Sequence, residues 1–290
     1  MSSVGSNLHH IRTPDGTTLA VRELRGSGQP ILALHGFTGD GSTMLPMIEK
    51  LRKDRPALLV DFVGHGQSDA PETLEPYTIA SVVDQMLFLV GGYPTQTVHV
   101  VGYSMGGRVA LSMAARAPWH FASLTVLSST AGITEPNARS ARHDADLVLA
   151  DRIETIGLQA FIDEWLASPL FAPLVDHLGP AGLAKTKAQR TAASAPGLAQ
   201  SLRGSGTGAM APVWDSLAGL QTPLLALAGE LDQKYVELAH RLADAVPHGR
   251  SEIIPNAGHA LPLENPEVVS TSIAQHLEGC ENSSPTDSRS

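Results

Sequence analysis

Residues 98–111 read VHVVGYSMGGRVAL, a valine-rich run that favours a strand up to Gly102 and a run compatible with a helix after Ser104. The serine therefore lies where the backbone reverses between two elements, within the pattern G-x-S-x-G. Glycines two positions before and after it remove Cβ atoms that would clash in so tight a turn. A chance match can occur in a glycine-rich chain, but the flanking strand and helix favour an exposed, nucleophilic serine.

Two backbone N–H groups near this turn are candidates for an oxyanion-binding site. Met105 N–H lies at the start of the predicted helix, where unpaired donors and the helix dipole favour negative charge. The loop at residues 35–39, HGFTG, follows an apolar run at residues 31–34, and Phe37 N–H is the natural second donor. We expect His35 to brace this loop through hydrogen bonds.

Composition narrows the class of protein. The chain has 290 residues, 42% of them hydrophobic, so it can bury a sizeable core. Its formal net charge is -9, which argues against nucleic acid and against an anionic membrane surface as the main partner. Cys280 is the single cysteine, residues 1–6 lack the features of a signal peptide, and no apolar run approaches a membrane span. We expect a cytoplasmic protein, either a monomer or a homodimer.

The sequence offers no support for a metal site or a dinucleotide site. It contains no H-E-x-x-H pattern and no cysteine cluster. Gly64-x-Gly66 is not continued by a glycine three residues later, where Asp69 stands, so the dinucleotide fingerprint is incomplete. We expect neither a metal nor a cofactor.

Apolar runs alternate with helix-compatible runs along most of the chain. A turn cluster at residues 14–16, between residues 8–13 and 17–24, predicts an opening antiparallel hairpin. Further predicted strands lie at residues 31–34, 57–60, 98–102, 124–127, 224–227 and 252–254, and predicted helices at residues 43–52, 79–90, 234–245 and 266–276. This alternation predicts an α/β fold, a mostly parallel sheet with helices on both faces.

The alternation stops between Ser128 and Pro223. Predicted helices without strands lie at residues 139–153, 158–166 and 182–191. Residues 192–205 are rich in small side chains, and we expect them to be flexible. We interpret residues 129–222 as a helical lid over the carboxyl ends of the strands, the alternative being a helical domain packed elsewhere. The other predicted domains are a core at residues 1–128 and 223–278 and a disordered polar tail at residues 279–290.

A base and an orienting acid for Ser104 follow later strands. Asp232 comes after the apolar run at residues 224–227, and His259 comes after the run at residues 252–254. Each therefore lies at a strand's carboxyl end, in the chain order Ser, Asp, His. Alone, Asp232 could cap the next helix and His259 could be a solvated loop histidine. Together they predict a triad in which His259 accepts the serine proton and Asp232 fixes the imidazole tautomer.

These motifs resemble the α/β-hydrolase superfamily from about Leu8 to Glu278. A narrower similarity is to the menaquinone-pathway synthases that make 2-succinyl-6-hydroxy-2,4-cyclohexadiene-1-carboxylate. It rests on the sequences at residues 35–39, 102–108, 229–235 and 256–259. The resemblance implies an α/β-hydrolase fold with an inserted lid, and a triad used for a lyase reaction that eliminates pyruvate from a small polycarboxylate without a covalent intermediate.

The resemblance also implies substrate-binding residues. Tyr103 and Arg108 match the family's tyrosine and arginine around the serine, and Arg142, Trp165 and Arg190 resemble family positions in the lid. Arginine suits carboxylates because its planar fork donates two parallel hydrogen bonds. For the lid arginines the alternative is a solvated helix face, and for Trp165 it is packing within the lid. Arg108 differs because it lies on the helix that follows the turn at Ser104, which we call the elbow. Such a helix is usually buried, and a charge there needs a partner.

Three functions are compatible with these residues. The first is the lyase, in which Ser104 and His259 remove a proton alpha to a carbonyl and the N–H groups of Phe37 and Met105 stabilise the enolate. The second is a hydrolase of an ester or carbon–carbon bond with Ser104 as covalent nucleophile. The third is a noncatalytic ligand receptor. The complete triad favours an enzyme, and the set of arginines favours the lyase.

Overall fold

The computed structural model describes residues 6–93 and 97–283, and within these ranges eight strands form one sheet. The strands are β1 (Ser6–Arg12), β2 (Thr18–Leu24), β3 (Ile31–Leu34), β4 (Ala57–Val60), β5 (Val98–Tyr103), β6 (Phe121–Leu127), β7 (Leu224–Gly229) and β8 (Gly249–Ile254). Their spatial order is β1-β2-β4-β3-β5-β6-β7-β8. The pairs β1–β2 and β2–β4 are antiparallel and the other pairs are parallel. The predicted opening hairpin and mostly parallel sheet are confirmed.

Helices cover both faces of this sheet. They are α1 (Gly41–Leu51), α2 (Ile79–Val90), α3 (Met105–Arg116), α4 (Pro136–Ile156), α5 (Leu158–Leu166), α6 (Ala172–Thr191), α7 (Ala195–Ser205), α8 (Trp214–Leu217), α9 (Gln233–Ala245), α10 (Leu261–Glu264) and α11 (Pro266–Ser283). Alternate residues of β3 belong to two separate hydrophobic clusters. Leu32 and Leu34 share one with residues of α2, α3 and α9, and Ile31 and Ala33 share the other with residues of α1 and α11. In the described ranges, no helix combines the length and apolar character that crossing a bilayer requires.

Five helices, α4 to α8, lie between β6 and β7 in the region interpreted as a lid. The expectation that residues 192–205 are flexible is wrong, because residues 195–205 form α7. The small side chains there let main chains approach closely: a Cβ on Gly197 would lie 2.7 Å from Gly64 Cα, and a Cβ on Gly204 would lie 2.6 Å from the carbonyl of Tyr77. Glycine in α7 therefore serves packing against the core rather than flexibility.

The end of α11 also departs from the prediction. We expected a disordered tail from residue 279, but the helix continues to Ser283, and residues 284–290 lie outside the described part of the chain. Both carboxylate oxygens of Glu281 accept hydrogen bonds from Arg55, from Nε at 2.8 Å and from Nη2 at 2.7 Å. His99 Nε2 on β5 lies 3.3 Å from the same carboxylate. A polar helix end is thus ordered by a bidentate ion pair rather than by an apolar anchor.

We predict that Glu281→Gln lowers the free energy of unfolding by about 1 kcal/mol near neutral pH, because it removes a partly buried, charge-assisted pair. The hydrogen bond from Arg55 lowers the pKa of Glu281, so the contribution is complete above the ordinary glutamate pKa and is lost as pH falls through the lowered one. Denaturant titrations of the wild type and the variant should therefore converge as the pH is lowered below about 4.

Glu278→Gln is the matched control for this prediction. Glu278 lies on the same helix as Glu281 and pairs with Lys53. Both side chains of this pair are well exposed, so the change should alter stability much less. Equal effects of the two substitutions at neutral pH would contradict the role given to Glu281.

Candidate active site

The turn between β5 and α3 holds Ser104 in a strained backbone conformation, with φ 51° and ψ -106°. Neighbouring main chains leave no room for a side chain at Gly102 or Gly106, two residues before and after Ser104. A Cβ on Gly102 would lie 2.5 Å from the carbonyl oxygen of Gly106, and a Cβ on Gly106 would lie 2.2 Å from that of Leu34. Ser104 N–H donates to Leu127 O at 2.8 Å, which ties the turn to β6. Strain of this kind persists where the surrounding structure fixes the backbone, and it is common at functional sites.

Ser104, His259 and Asp232 form a continuous hydrogen-bonded chain. The Ser104 hydroxyl lies 3.1 Å from His259 Nε2, and His259 Nδ1 lies 2.8 Å from Asp232 Oδ2. Asp232 follows β7 and His259 follows β8, so both side chains come from the carboxyl edge of the sheet. The Asp232 side chain does not cap α9, so it serves His259 and not the helix. The arrangement can move a proton from the hydroxyl to the imidazole, with the carboxylate holding the tautomer.

Two N–H groups beside Ser104 are available to a ligand. Within the described part of the chain, neither Phe37 N–H nor Met105 N–H donates a hydrogen bond to another group. Phe37 lies in a four-residue turn, residues 36–39, closed by Gly39 N–H donating to Gly36 O at 3.0 Å; we call it the oxyanion turn. Free donors beside a nucleophilic oxygen are the arrangement that stabilises an oxyanion.

His35 braces the oxyanion turn as predicted. Its Nδ1 donates to Gly36 O at 2.8 Å, and its Nε2 accepts from Phe62 N–H at 3.1 Å. This pattern requires the neutral imidazole, and complete burial lowers the pKa of His35. The neutral His35 ring therefore links the loop after β3 to the loop after β4 through two hydrogen bonds.

A cavity of about 380 Å³ opens above Ser104 and His259. Its floor comes from the elbow and the oxyanion turn, and its other walls come from α4, α5 and α7 in the predicted lid and from the start of α9. Tyr103 and Trp165, both predicted to bind substrate, line it. Trp165 also packs edge-on against Phe37 with ring centroids 5.6 Å apart, so it contacts both the cavity and other aromatic rings. Helices α4, α5 and α7 thus border the cavity above Ser104.

Two of the three predicted arginines line this cavity. Arg108 is buried and donates from Nη1 to the carbonyl of Ser205 at 2.7 Å, and it forms no ion pair with a carboxylate of the described chain. Burial lowers the pKa of Arg108 to about 10, so the side chain stays charged at neutral pH. Arg142 is partly exposed and pairs through Nε with Asp146 at 2.8 Å.

The third arginine is not in the cavity wall. Arg190 is buried at the end of α6, outside the set of residues that line the cavity, and its Nη1 donates to Thr38 Oγ1. The expectation that Arg190 reaches the substrate is therefore not met in this conformation, because its guanidinium is directed at the oxyanion turn. A sequence pattern places a residue on a helix but does not give the direction of a long side chain.

Two polar lining residues next to Asp232 in the sequence are among those that were not assigned a role. Lys234 and Tyr235 directly follow Asp232 and Gln233, and both face the cavity. The Tyr235 ring packs on the His259 ring with centroids 4.6 Å apart, and Lys234 is exposed. Their position beside the triad acid was the available signal. Lys234, Arg108 and Arg142 are three cations among the described residues that line the cavity, against one carboxylate, that of Asp146.

Among the described residues, no group of three or more His, Cys, Asp or Glu side chains is arranged to hold a metal ion. The polar groups around Ser104 are instead a hydroxyl, an imidazole, free N–H groups and guanidinium groups. This donor set suits acid–base and anion chemistry.

Comparisons with known proteins agree with this architecture. The profile of the α/β hydrolase fold family matches residues 29–266. A putative 2-succinyl-6-hydroxy-2,4-cyclohexadiene-1-carboxylate synthase from Bacillus subtilis (strain 168) is 30% identical over 269 residues, which is 92% of this chain and 97% of that protein. A synthase of the same name from Salmonella paratyphi C (strain RKS4594) is 31% identical over 254 residues, 86% of this chain and 96% of that protein. The structure of MenH from S. aureus superimposes with a TM-score of 0.84 at 29% identity, covering 90% of this chain and 99% of that one.

We predict that Ser104→Ala lowers turnover of any substrate processed at this site by at least about a thousandfold, because in the predicted triad it removes the hydroxyl that His259 would activate. The melting temperature should change little, since one oxygen facing a cavity is lost. Ser112→Ala on the same helix is the control, because that hydroxyl only donates to the Arg108 carbonyl within α3. Turnover within about tenfold of wild type in Ser104→Ala would refute the triad.

Proposed function

The chain belongs to the α/β-hydrolase fold family, and we propose that it is a carbon–oxygen lyase of menaquinone biosynthesis. Its substrate would be 2-succinyl-5-enolpyruvyl-6-hydroxy-3-cyclohexene-1-carboxylate, from which it eliminates pyruvate. The relatives from B. subtilis and Salmonella carry the name of the synthase that makes the corresponding product, and they match this chain over almost their whole length. That likeness supports the reaction, and the chemistry of the cavity supports the substrate class.

The buried guanidinium of Arg108 is the observation that carries the proposal. A buried charge is strongly unfavourable unless a partner compensates it. Among the described residues, Arg108 donates a side-chain hydrogen bond only to the carbonyl oxygen of Ser205, and the favourable charge near it, that of Asp146, is already paired with Arg142. It lines the same cavity as Ser104, with Arg142 and Lys234 nearby. An anionic ligand would supply the missing partner. A substrate with several carboxylates fits a cavity in which cations outnumber carboxylates.

The geometry supports a proton-abstraction mechanism. His259 accepts the Ser104 proton, and the serine oxygen removes a proton alpha to the succinyl carbonyl. Asp232 stabilises the imidazolium that forms. The N–H groups of Phe37 and Met105 hold the enolate oxygen. The C–O bond to the enolpyruvyl group then breaks and the ring gains its second double bond. The departing enolpyruvate takes up the proton held by the His259 imidazolium and becomes pyruvate, which returns His259 to the neutral form.

The second candidate is a serine hydrolase of an ester or carbon–carbon bond. The observation in its favour is the same 3.1 Å contact between Ser104 and His259, which would equally activate the serine for covalent attack. A noncatalytic receptor has no need of the complete chain to Asp232. The two enzymatic reactions differ in their products, so a direct assay separates them.

We predict that the purified protein releases pyruvate from the enolpyruvyl precursor and hydrolyses simple aryl esters only slowly, because the cavity is built to stabilise elimination from a polycarboxylate. Pyruvate can be followed with lactate dehydrogenase and NADH, and ester cleavage by the absorbance of the released phenol. Ser104→Ala should abolish both signals. Rapid ester hydrolysis without pyruvate release would favour the hydrolase.

We also predict that Arg108→Met lowers kcat/KM for the precursor by about ten- to a hundredfold, the effect of losing one charge-assisted hydrogen bond. A neutral aryl ester should be affected little. Arg108→Lys should recover part of the loss, because an ammonium cannot reproduce the paired donors of a guanidinium.

Arg152→Gln is the matched control for Arg108. Arg152 is an exposed lid arginine that pairs with Glu164 between α4 and α5, away from the cavity lining. Its substitution should leave both activities near wild type. An equal loss on charged and neutral substrates in Arg108→Met, together with a lower melting temperature, would mark Arg108 as a structural charge instead.

A further inference from the structure

The oxyanion turn contains a residue that its backbone conformation does not favour. Thr38, at the third position of the turn, has φ +64°, in the left-handed region. Turns with positive φ at this position normally carry glycine or asparagine, and a β-branched residue there is an outlier. Thr38 is also almost completely buried. The turn that carries Phe37 N–H therefore needs contacts from outside to hold its shape.

Arg190 supplies such a contact from the predicted lid. Its guanidinium donates to the Thr38 hydroxyl and stands 5.9 Å from the centroid of the Phe171 ring. It forms no ion pair with a carboxylate in residues 6–93 or 97–283 and does not line the cavity. A buried guanidinium is thus directed at the residue next to the oxyanion donor.

The preceding residue of α6 holds the other end of the same loop. Gln189 Nε2 lies 2.8 Å from Asp40 Oδ1 and 2.7 Å from Ser42 Oγ. Asp40 is the N-cap of α1, the helix that follows the oxyanion turn. Two consecutive residues at the end of α6 therefore fix the turn at Thr38 and its exit at Asp40.

We propose that Arg190 is a positioning residue, which holds the oxyanion turn from the lid so that Phe37 N–H points at the reacting oxygen. This role belongs to the same site as the proposed function. It rests on that function only in requiring that Phe37 N–H donates to the reacting oxygen. The position of the end of α6 and the shape of the oxyanion turn are then coupled. Any reaction of Ser104 that develops an oxyanion depends on the Arg190–Thr38 contact, whatever charge the substrate carries.

The test compares Arg190→Met and Thr38→Val on two substrates, the enolpyruvyl precursor and a neutral aryl ester. Each variant should lower kcat by about ten- to a hundredfold and change KM by less than about threefold. The reason is that a displaced Phe37 N–H no longer stabilises the transition state. The loss should be the same on both substrates. Arg108→Met acts differently, because its effect is confined to the charged substrate. The ester assay keeps the test valid if the precursor proves not to be the substrate.

A double variant and two controls separate positioning from a general structural role. Because the two side chains act through one contact, Arg190→Met with Thr38→Val should lose no more than the larger single loss. Thr38→Ser, which keeps the hydroxyl, should retain activity. Thr38→Gly removes the backbone strain, so when it is combined with Arg190→Met it should restore part of the kcat that Arg190→Met loses. Arg152→Gln controls for the loss of a lid arginine.

Several results would overturn the proposal. One is a raised KM for the precursor at unchanged kcat with normal ester cleavage, which would make Arg190 a substrate-binding residue. Another is additive losses in the double variant. If Arg190→Met fails to fold, Thr38→Val decides alone, because it leaves every charge in place: a kcat within about twofold of wild type would reject the contact as a positioning device.

Discussion

The close approach of main chains around Ser104 is the constraint on which the site depends. Gly102 and Gly106 allow the start of α3 to lie against β5 and β3, at distances where any Cβ would collide with a carbonyl. That approach brings Gly106 N–H to His35 O at 3.0 Å and so joins the elbow directly to the chain leading into the oxyanion turn. The backbone positions of Ser104 and Met105 are therefore set by main-chain packing, whereas the turn at residues 36–39 that carries Phe37 also has side-chain contacts from α6.

The sequence predicted those parts of the fold that follow from local periodicity. The run at residues 79–90 is amphipathic and capped by Thr78, and the observed α2 has the predicted bounds. The order of Ser104, Asp232 and His259 placed each side chain at the carboxyl end of a strand, and the structure brings the three together. What local pattern could not show were effects that depend on distant partners. The helix at residues 195–205 is stabilised by core backbone, and the end of α11 by Arg55, 226 positions before Glu281.

The direction of long side chains limited the prediction of the site in the same way. Arg108 and Arg190 were both predicted to bind substrate, yet one lines the cavity and the other contacts Thr38. Helix position alone does not separate them, since rotamer and neighbouring packing decide where a guanidinium ends. The cavity itself is cationic while the whole chain carries a net charge of -9. A local field of opposite sign to the net charge favours anions at the cavity and disfavours them elsewhere on the surface.

The contact between α7 and the core has a consequence for divergence of the sequence. Gly64 and Gly197 face each other across it, and neither admits a side chain without displacing the other backbone. Gly204 lies equally close to Tyr77. Such positions can change during evolution only together with a shift of both chains, so this helix is expected to keep its place while neighbouring lid helices vary. New specificities within this fold would then arise on α4 and α5, beside an unchanged close contact between Gly64 and Gly197.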